Sequence, residues 1–224
     1  MKDNHHQVSV LALNPSVDIS YQISQLLAYQ KVRASQTWYH PGGNGINITR
    51  ALTELGVPAS CASIIAGESG DLLLKLLGDS FGDRHRPIRV DGETRLNTTI
   101  MQQNPPGQYE ITSLGPEIPA EALASITDYF LKQTSNGIAV LSGLLPPGVP
   151  DDTYRKLTDR VNQQDGRVVL DAHGDPLLKA LEAKPWLLRL NHYVLEVTTK
   201  RRMDASDQVA EVARSIQQQG VEYV

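Results

Sequence analysis

Residues 39–52 read YHPGGNGINITRAL, with three glycines and two asparagines set in front of an apolar helical stripe. Gly42, Gly43 and Gly45 carry no Cβ, so a ligand can come close to bare backbone N–H groups. A helix running roughly from Ile46 to Leu55 would aim its positive N-terminus at the same spot. Asn44 and Asn47 add amide donors and acceptors suited to hydroxyls. A simple turn with a helix cap would use the same residues, and spacing alone leaves both readings open. No Gly-Lys-Ser/Thr follows, so this is not a P-loop, and it does not fit the dinucleotide fingerprint G-x-G-x-x-G.

Three further stretches offer polar groups beside apolar runs. LALNPSVD (Leu11–Asp18) puts Asp18, a good acceptor for sugar hydroxyls, just past a strand; a surface turn after Pro15 would look the same. DGETRLN (Asp91–Asn97) carries Arg95, whose planar fork can clamp a phosphate or stand solvated on an exposed strand. Lys31 and Arg33 could add positive charge for an anionic substrate. VLSGLLPPGVP (Val140–Pro150) ends a buried strand at Ser142 in a Gly/Pro-rich loop.

These groups need elements to position them. Val8–Leu13, Ser60–Ile65, Ile138–Ser142, Val168–Asp171 and Trp186–Leu190 are short apolar runs with polar or Gly/Pro boundaries, the pattern of buried strands. Between them, Ile48, Ala51, Leu52 and Leu55 fall at helical spacing and stop at Gly56. Leu72, Leu73, Leu76 and Leu77 stop at Gly78. Val209, Val212, Ala213 and Ile216 stop near Gly220. Strands alternating with helices predict an α/β fold with a mostly parallel sheet covered on both faces. Residues 95–113 break the rhythm. Leu96, Thr98 and Ile100 alternate with polar residues, turn at Asn104–Gly107, and resume at Tyr109 and Ile111. This predicts a hairpin standing off the main sheet as a lid, partnered by residues 19–37. So small a sheet needs a partner, and a second subunit could be one.

Composition excludes several classes. A net charge of −4 does not suit a general nucleic-acid surface. No apolar run approaches the roughly 18 residues of a membrane span, and the start MKDNHHQVSV does not read as a signal peptide. The one cysteine, Cys61, can form no disulfide within the chain and fits a reducing cytoplasm. His5 and His6 read as an exposed pair rather than a metal site.

Taken together and in order, the stretches LALNPSVD, PGGNGIN followed by TRAL, GETRLN, SGLLPPGV, LDAHGDPLL and KPWLLRLN resemble the ribokinase/PfkB family of carbohydrate kinases. They look most like its sugar-phosphate branch: the minor type of 6-phosphofructokinase, 1-phosphofructokinase and tagatose-6-phosphate kinase. The resemblance runs from near residue 8 to the last residue. It implies one ribokinase-like domain over 1–224, a Rossmann-type parallel sheet flanked by helices, with lid segments near 19–37 and 95–113. It implies that Asp18 holds sugar hydroxyls, that Gly42, Gly43, Asn47 and Ser142 line the sugar site, and that Lys31 and Arg95 bind the substrate's phosphate. Arg189 and Asn191 fall in the region that handles nucleotide and metal. The implied reaction moves the γ-phosphoryl of Mg-ATP onto a ketohexose phosphate, with fructose 6-phosphate going to fructose 1,6-bisphosphate as the expected case. A homodimer through the lid and a cytoplasmic location are implied too.

The sequence departs from the family pattern in places. The family's catalytic aspartate lies in a Gly-Ala-Gly-Asp loop downstream of the last matched stretch, and these 224 residues hold no such loop. The expectation is a fold whose C-terminal part is missing, no catalytic residue within this chain, and little activity alone. Residues 220–224, GVEYV, read as the start of another buried strand. The usual KPNxxE reads Arg189-Leu190-Asn191 with Val194 in place of glutamate, which puts Mg-ATP handling in doubt; Glu196, two residues on, would face elsewhere. Leu144 replaces a hydroxyl near the sugar phosphate. Hence the second reading: a degenerate kinase that binds sugar phosphate as a regulatory module.

Overall fold

The computed structural model describes residues 7–224; the His5–His6 pair and the rest of the N-terminal segment lie outside the described residues. The strands are β1 (Val8–Ala12), β2 (Ser16–Ile23), β3 (Gln36–Gly42), β4 (Ala59–Ala66), β5 (His85–Val90), β6 (Arg95–Gln103), β7 (Pro106–Ile111), β8 (Ile138–Ser142), β9 (Arg167–Asp171) and β10 (Leu187–Leu188). The helices are α1 (Asn44–Glu54), α2 (Gly67–Leu77), α3 (Ala120–Lys132), α4 (Thr153–Asn162), α5 (Gly174–Leu181), α6 (His192–Thr199) and α7 (Ser206–Gln218).

Six strands form a parallel sheet in the order β10-β9-β8-β1-β4-β5. β1 and β4 are buried along their whole length, as strands covered on both faces must be, and their residues divide by parity. Leu11, Ala62, Ile64, Leu141 and Leu170 pack against Phe130 of α3, Tyr154 of α4 and Leu177 of α5. Ala12, Cys61 and Ile65 face the other way, against Ile46 of α1 and Leu73 and Leu77 of α2. Burial pushes the Cys61 thiol up to about 12, which leaves it an inert core group.

Two elements differ from the sequence reading. Trp186–Leu190 contributes only Leu187 and Leu188 as strand, because β10 is the sheet's edge. Tyr223 bridges to Leu187 in parallel, so the GVEYV segment begins to pair at that edge without forming a strand among the described residues. β5 carries no strand signature in the sequence because HRPIRV alternates charge and proline; it too is an edge strand, where proline is tolerated.

The second sheet has the order β3-β2-β6-β7. The chain leaves β1, bends through Leu13–Asn14, and enters β2 at Ser16. β2 pairs in parallel with β6, so that Asp18 lies opposite Asn97. It pairs antiparallel with β3, which brings Gly42 opposite Ser16. Two stretches some eighty residues apart are thereby fixed side by side, directly above the carboxyl ends of β1 and β8.

Candidate functional site

Asp18 is anchored from one side. Its Oδ1 accepts from Ser16 Oγ at 2.7 Å and from Asn97 Nδ2 at 2.9 Å. Two donors on one oxygen fix the carboxylate plane and leave Oδ2 for a further donor. The carboxylate lies against Gly42, where any Cβ would collide with it. Gly43 is needed for a different reason: at φ +89 it turns the chain into α1, and its Cα backs onto Pro15. The glycines therefore serve close backbone packing around Asp18 as well as a helix N-terminus.

Arg95 begins β6. Its Nε donates to the Asn14 carbonyl at 3.2 Å, which holds the guanidinium over the end of β1 with its other nitrogens free to donate. Burial lowers its affinity for the proton, and the Asp18 carboxylate opposes that effect; the group stays cationic. Arg95, Asn14, Asn44, Ser142, Leu144 and His173 enclose a cavity of about 100 Å³. Two side-chain oxygens of its lining residues, Asn14 Oδ1 and Ser142 Oγ, are buried without a partner among the described residues. Buried polar atoms are normally satisfied, so this cavity has the chemistry of a place for a polar ligand.

Ser142 owes its position to Tyr154. The fully buried phenol donates to the carbonyls of Ser142 and Gly143, each at 3.1 Å. Burial, with Asp171 nearby, pushes that phenol upward, so it remains protonated and a donor. Gly143, at φ +94, then donates its N–H to the Asp171 carbonyl at 2.9 Å.

A larger cavity, about 560 Å³, adjoins across Asn44. Val8, Ile138, Val140 and Val169 make its floor on the α1 side of the sheet. Asn47, Asp171 and Arg189 stand at its polar end. Asp171 receives Arg189 Nη1 at 3.4 Å and Asn44 Nδ2 at 3.3 Å.

The residues singled out from sequence thus divide. Asp18 and Gly42 meet at the second sheet, Arg95 and Ser142 share the smaller cavity, and Asn47 and Arg189 share the larger. Lys31 does not join them: it sits exposed on the loop between β2 and β3 and lines neither cavity. Asn191 caps α6, its Oδ1 accepting from Val194 N at 2.7 Å. Glu196 is committed elsewhere, accepting from Met203 N at 2.7 Å, the main reason its carboxyl titrates below its usual range, and from His192 at 3.2 Å. Sequence reasoning missed Ser16, Asn97, Asp171 and His173. Ser16 had a signal in strand parity, since it lies two residues before Asp18 on β2; Asn97 joins it only through the register of β6.

A family model for pfkB family carbohydrate kinases matches residues 11–224. The chain belongs to the pfkB family of carbohydrate kinases. Among known proteins, 1-phosphofructokinase of Bacillus subtilis (strain 168) is 30% identical over 222 residues, which cover 97% of this chain and 70% of that protein. Among solved structures, phosphofructokinase-2 from Escherichia coli in complex with substrates and products superposes with a TM-score of 0.86 at 27% identity, covering 97% of this chain and 70% of that one. Arabidopsis thaliana ribokinase complexed with ribose and ATP superposes at 0.71 with 18% identity, over 96% and 69% of the two chains, a likeness of fold alone. This pfkB chain spans about 70% of the length of these relatives, and its α/β fold is theirs.

Proposed function

We propose that the chain binds a ketohexose phosphate, fructose 6-phosphate, between the second sheet and the carboxyl ends of β1 and β8, and that the reaction served is ATP-dependent phosphorylation of the sugar's free primary hydroxyl. The observation that carries this is the pairing of one anchored carboxylate with one free oxygen, Asp18, and one half-buried guanidinium, Arg95, beside unpartnered buried oxygens. A carboxylate suits vicinal hydroxyls, and a guanidinium suits a phosphate. The likeness to 1-phosphofructokinase and phosphofructokinase-2 supports the same substrate class.

The nucleotide would lie across the larger cavity, with Arg189 meeting its phosphates. Gly42 and Gly43 would flank the sugar, Asn47 at the polar end of the larger cavity would stand where sugar and nucleotide meet, and the second sheet would act as the lid that excludes water. Residues 1–224 would work as one unit with that lid. Among the described residues, no three His, Cys, Asp or Glu side chains cluster as a metal site, so no step is assigned to a protein-held ion; magnesium would arrive with the nucleotide. Among the described residues no helix is long and apolar enough to cross a membrane, and a buried free cysteine suits a cytoplasmic setting.

A second reading is sugar-phosphate binding without transfer. It is favoured by one observation: Asp18 is held by two donors and Asp171 by Arg189 and Asn44, so both carboxylates near the cavities are engaged. Calorimetric titration with fructose 6-phosphate, alongside an ADP-release assay, separates the two. Binding with ADP release supports the kinase, binding alone supports the module, and no binding to any ketohexose phosphate ends both.

A further inference from the structure

His173 precedes α5 and is exposed at the wall of the 100 Å³ cavity, together with Arg95 and Ser142. The position is a helix N-cap, yet its side chain makes no capping hydrogen bond. No described residue donates to or accepts from its ring. The neighbouring wall residue, Leu144, is 47% exposed and offers only methyl groups. Ser142, only 4% exposed, lines the same cavity, and its Oγ is buried without a partner among the described residues.

The charges around the ring are accounted for. Arg95 lines the same cavity. Asp171, two residues earlier, is paired with Arg189 and bonded by Asn44. Asp175, in the first turn of α5, is exposed to solvent. No carboxylate is left unpaired inside the cavity to claim the imidazole. The ring's N–H is therefore available to an anion held by Arg95, and an imidazole can supply such a donor whether neutral or charged.

We propose that His173 contacts the substrate's phosphoryl group, donating to it alongside Arg95, and so sets the preference for phosphorylated over free sugar. This rests on the sugar-phosphate reading above. It assigns a substrate-contacting role to a residue that would otherwise be a helix cap.

The test is calorimetric titration of the whole chain with fructose 6-phosphate, free fructose and inorganic phosphate, in wild type, His173→Ala and His173→Asn. The expected result is about tenfold weaker binding of fructose 6-phosphate to His173→Ala, the loss of one hydrogen bond to a charged group. Free fructose should bind both equally, the thermal midpoint should not move, and Asn, which keeps an N–H, should restore part of the loss. Unchanged fructose 6-phosphate affinity in His173→Ala overturns the proposal. If inorganic phosphate binds with the same His173 dependence while no sugar phosphate binds, the sugar reading fails and the anion contact stands.

Discussion

The Asp18 carboxylate lies directly against Gly42, so that the two residues exclude any side chain between them. Gly42→Ala is expected to push Asp18 off its bonds to Ser16 and Asn97. Overpacking of this kind costs about 1–3 kcal/mol. Thermal unfolding should record the loss, and calorimetry should record weakened sugar-phosphate binding. A variant as stable and as tight-binding as wild type would show that the carboxylate is not held by that contact.

Arg95 offers the clearest separation of phosphate from sugar recognition. Arg95→Ala removes a charged donor worth about 1.5–3 kcal/mol, so fructose 6-phosphate should bind roughly ten- to a hundredfold more weakly. Arg95→Lys should recover little, because the Nε bond to the Asn14 carbonyl fixes a planar fork that an ammonium cannot copy. Equal affinities for fructose 6-phosphate in all three proteins would remove Arg95 from the site.

Tyr154 links the α4 core to the loop that carries Ser142. Tyr154→Phe keeps the ring packing and strips the donor from two carbonyls. The expected destabilisation is about 1–3 kcal/mol, measured by denaturant unfolding, with a parallel drop in ligand affinity because Ser142 loses its support. Destabilisation without any change in affinity would confine Tyr154 to the core.

Glu93 provides a pH test. Its carboxylate accepts from the Ser69 hydroxyl at 2.6 Å and from the N–H groups of Ser69 and Glu68, which caps the start of α2. The Ser69 hydroxyl is the main reason this carboxyl titrates below its ordinary 4.5. A group lowered on folding contributes stability above its unfolded value, and that contribution is lost as pH falls below 4.5 through the folded value. Glu93→Gln should be less stable than wild type at neutral pH, with the gap closing in acid. A constant gap across that range would show that the charge is not what matters.

The sheet and the site were legible to different degrees, for physical reasons. The largely apolar runs of β1, β4 and β8, whose only polar residues are small serines, announce themselves because burial on both faces leaves little room for larger polar side chains. β5 does not, since an edge strand can carry Arg86, Pro87 and Arg89. Asp18 stands out as a polar group just past an apolar run, and Arg95 as a cation leading into the alternating hairpin. Their partners do not: the Asp18–Asn97 bond depends on the register of β2 against β6, which no local pattern encodes. Lys31 read well as a cation but sits on a loop whose path composition cannot specify. His173 carries no local signal in the sequence, and only the cavity it lines singles it out.

The second sheet gives the last prediction. One of its faces carries Asp18, Asn97 and Arg95, and parity puts Val17, Ile19, Tyr39, Leu96, Tyr109 and Ile111 on the other. Val17 and Ile19 are covered by α2. Beyond the helix, Tyr39, Leu96, Tyr109 and Ile111 remain 43–59% exposed. A four-stranded sheet with so much apolar surface on one side gains by burying it against a like surface. A second copy of the chain, stacked lid to lid, would do so while leaving the Asp18 face open to substrate. Sedimentation of wild type should reveal a dimer, and Ile111→Lys with Tyr109→Asp should give a folded monomer. A wild-type monomer at high concentration would rule out lid-to-lid association.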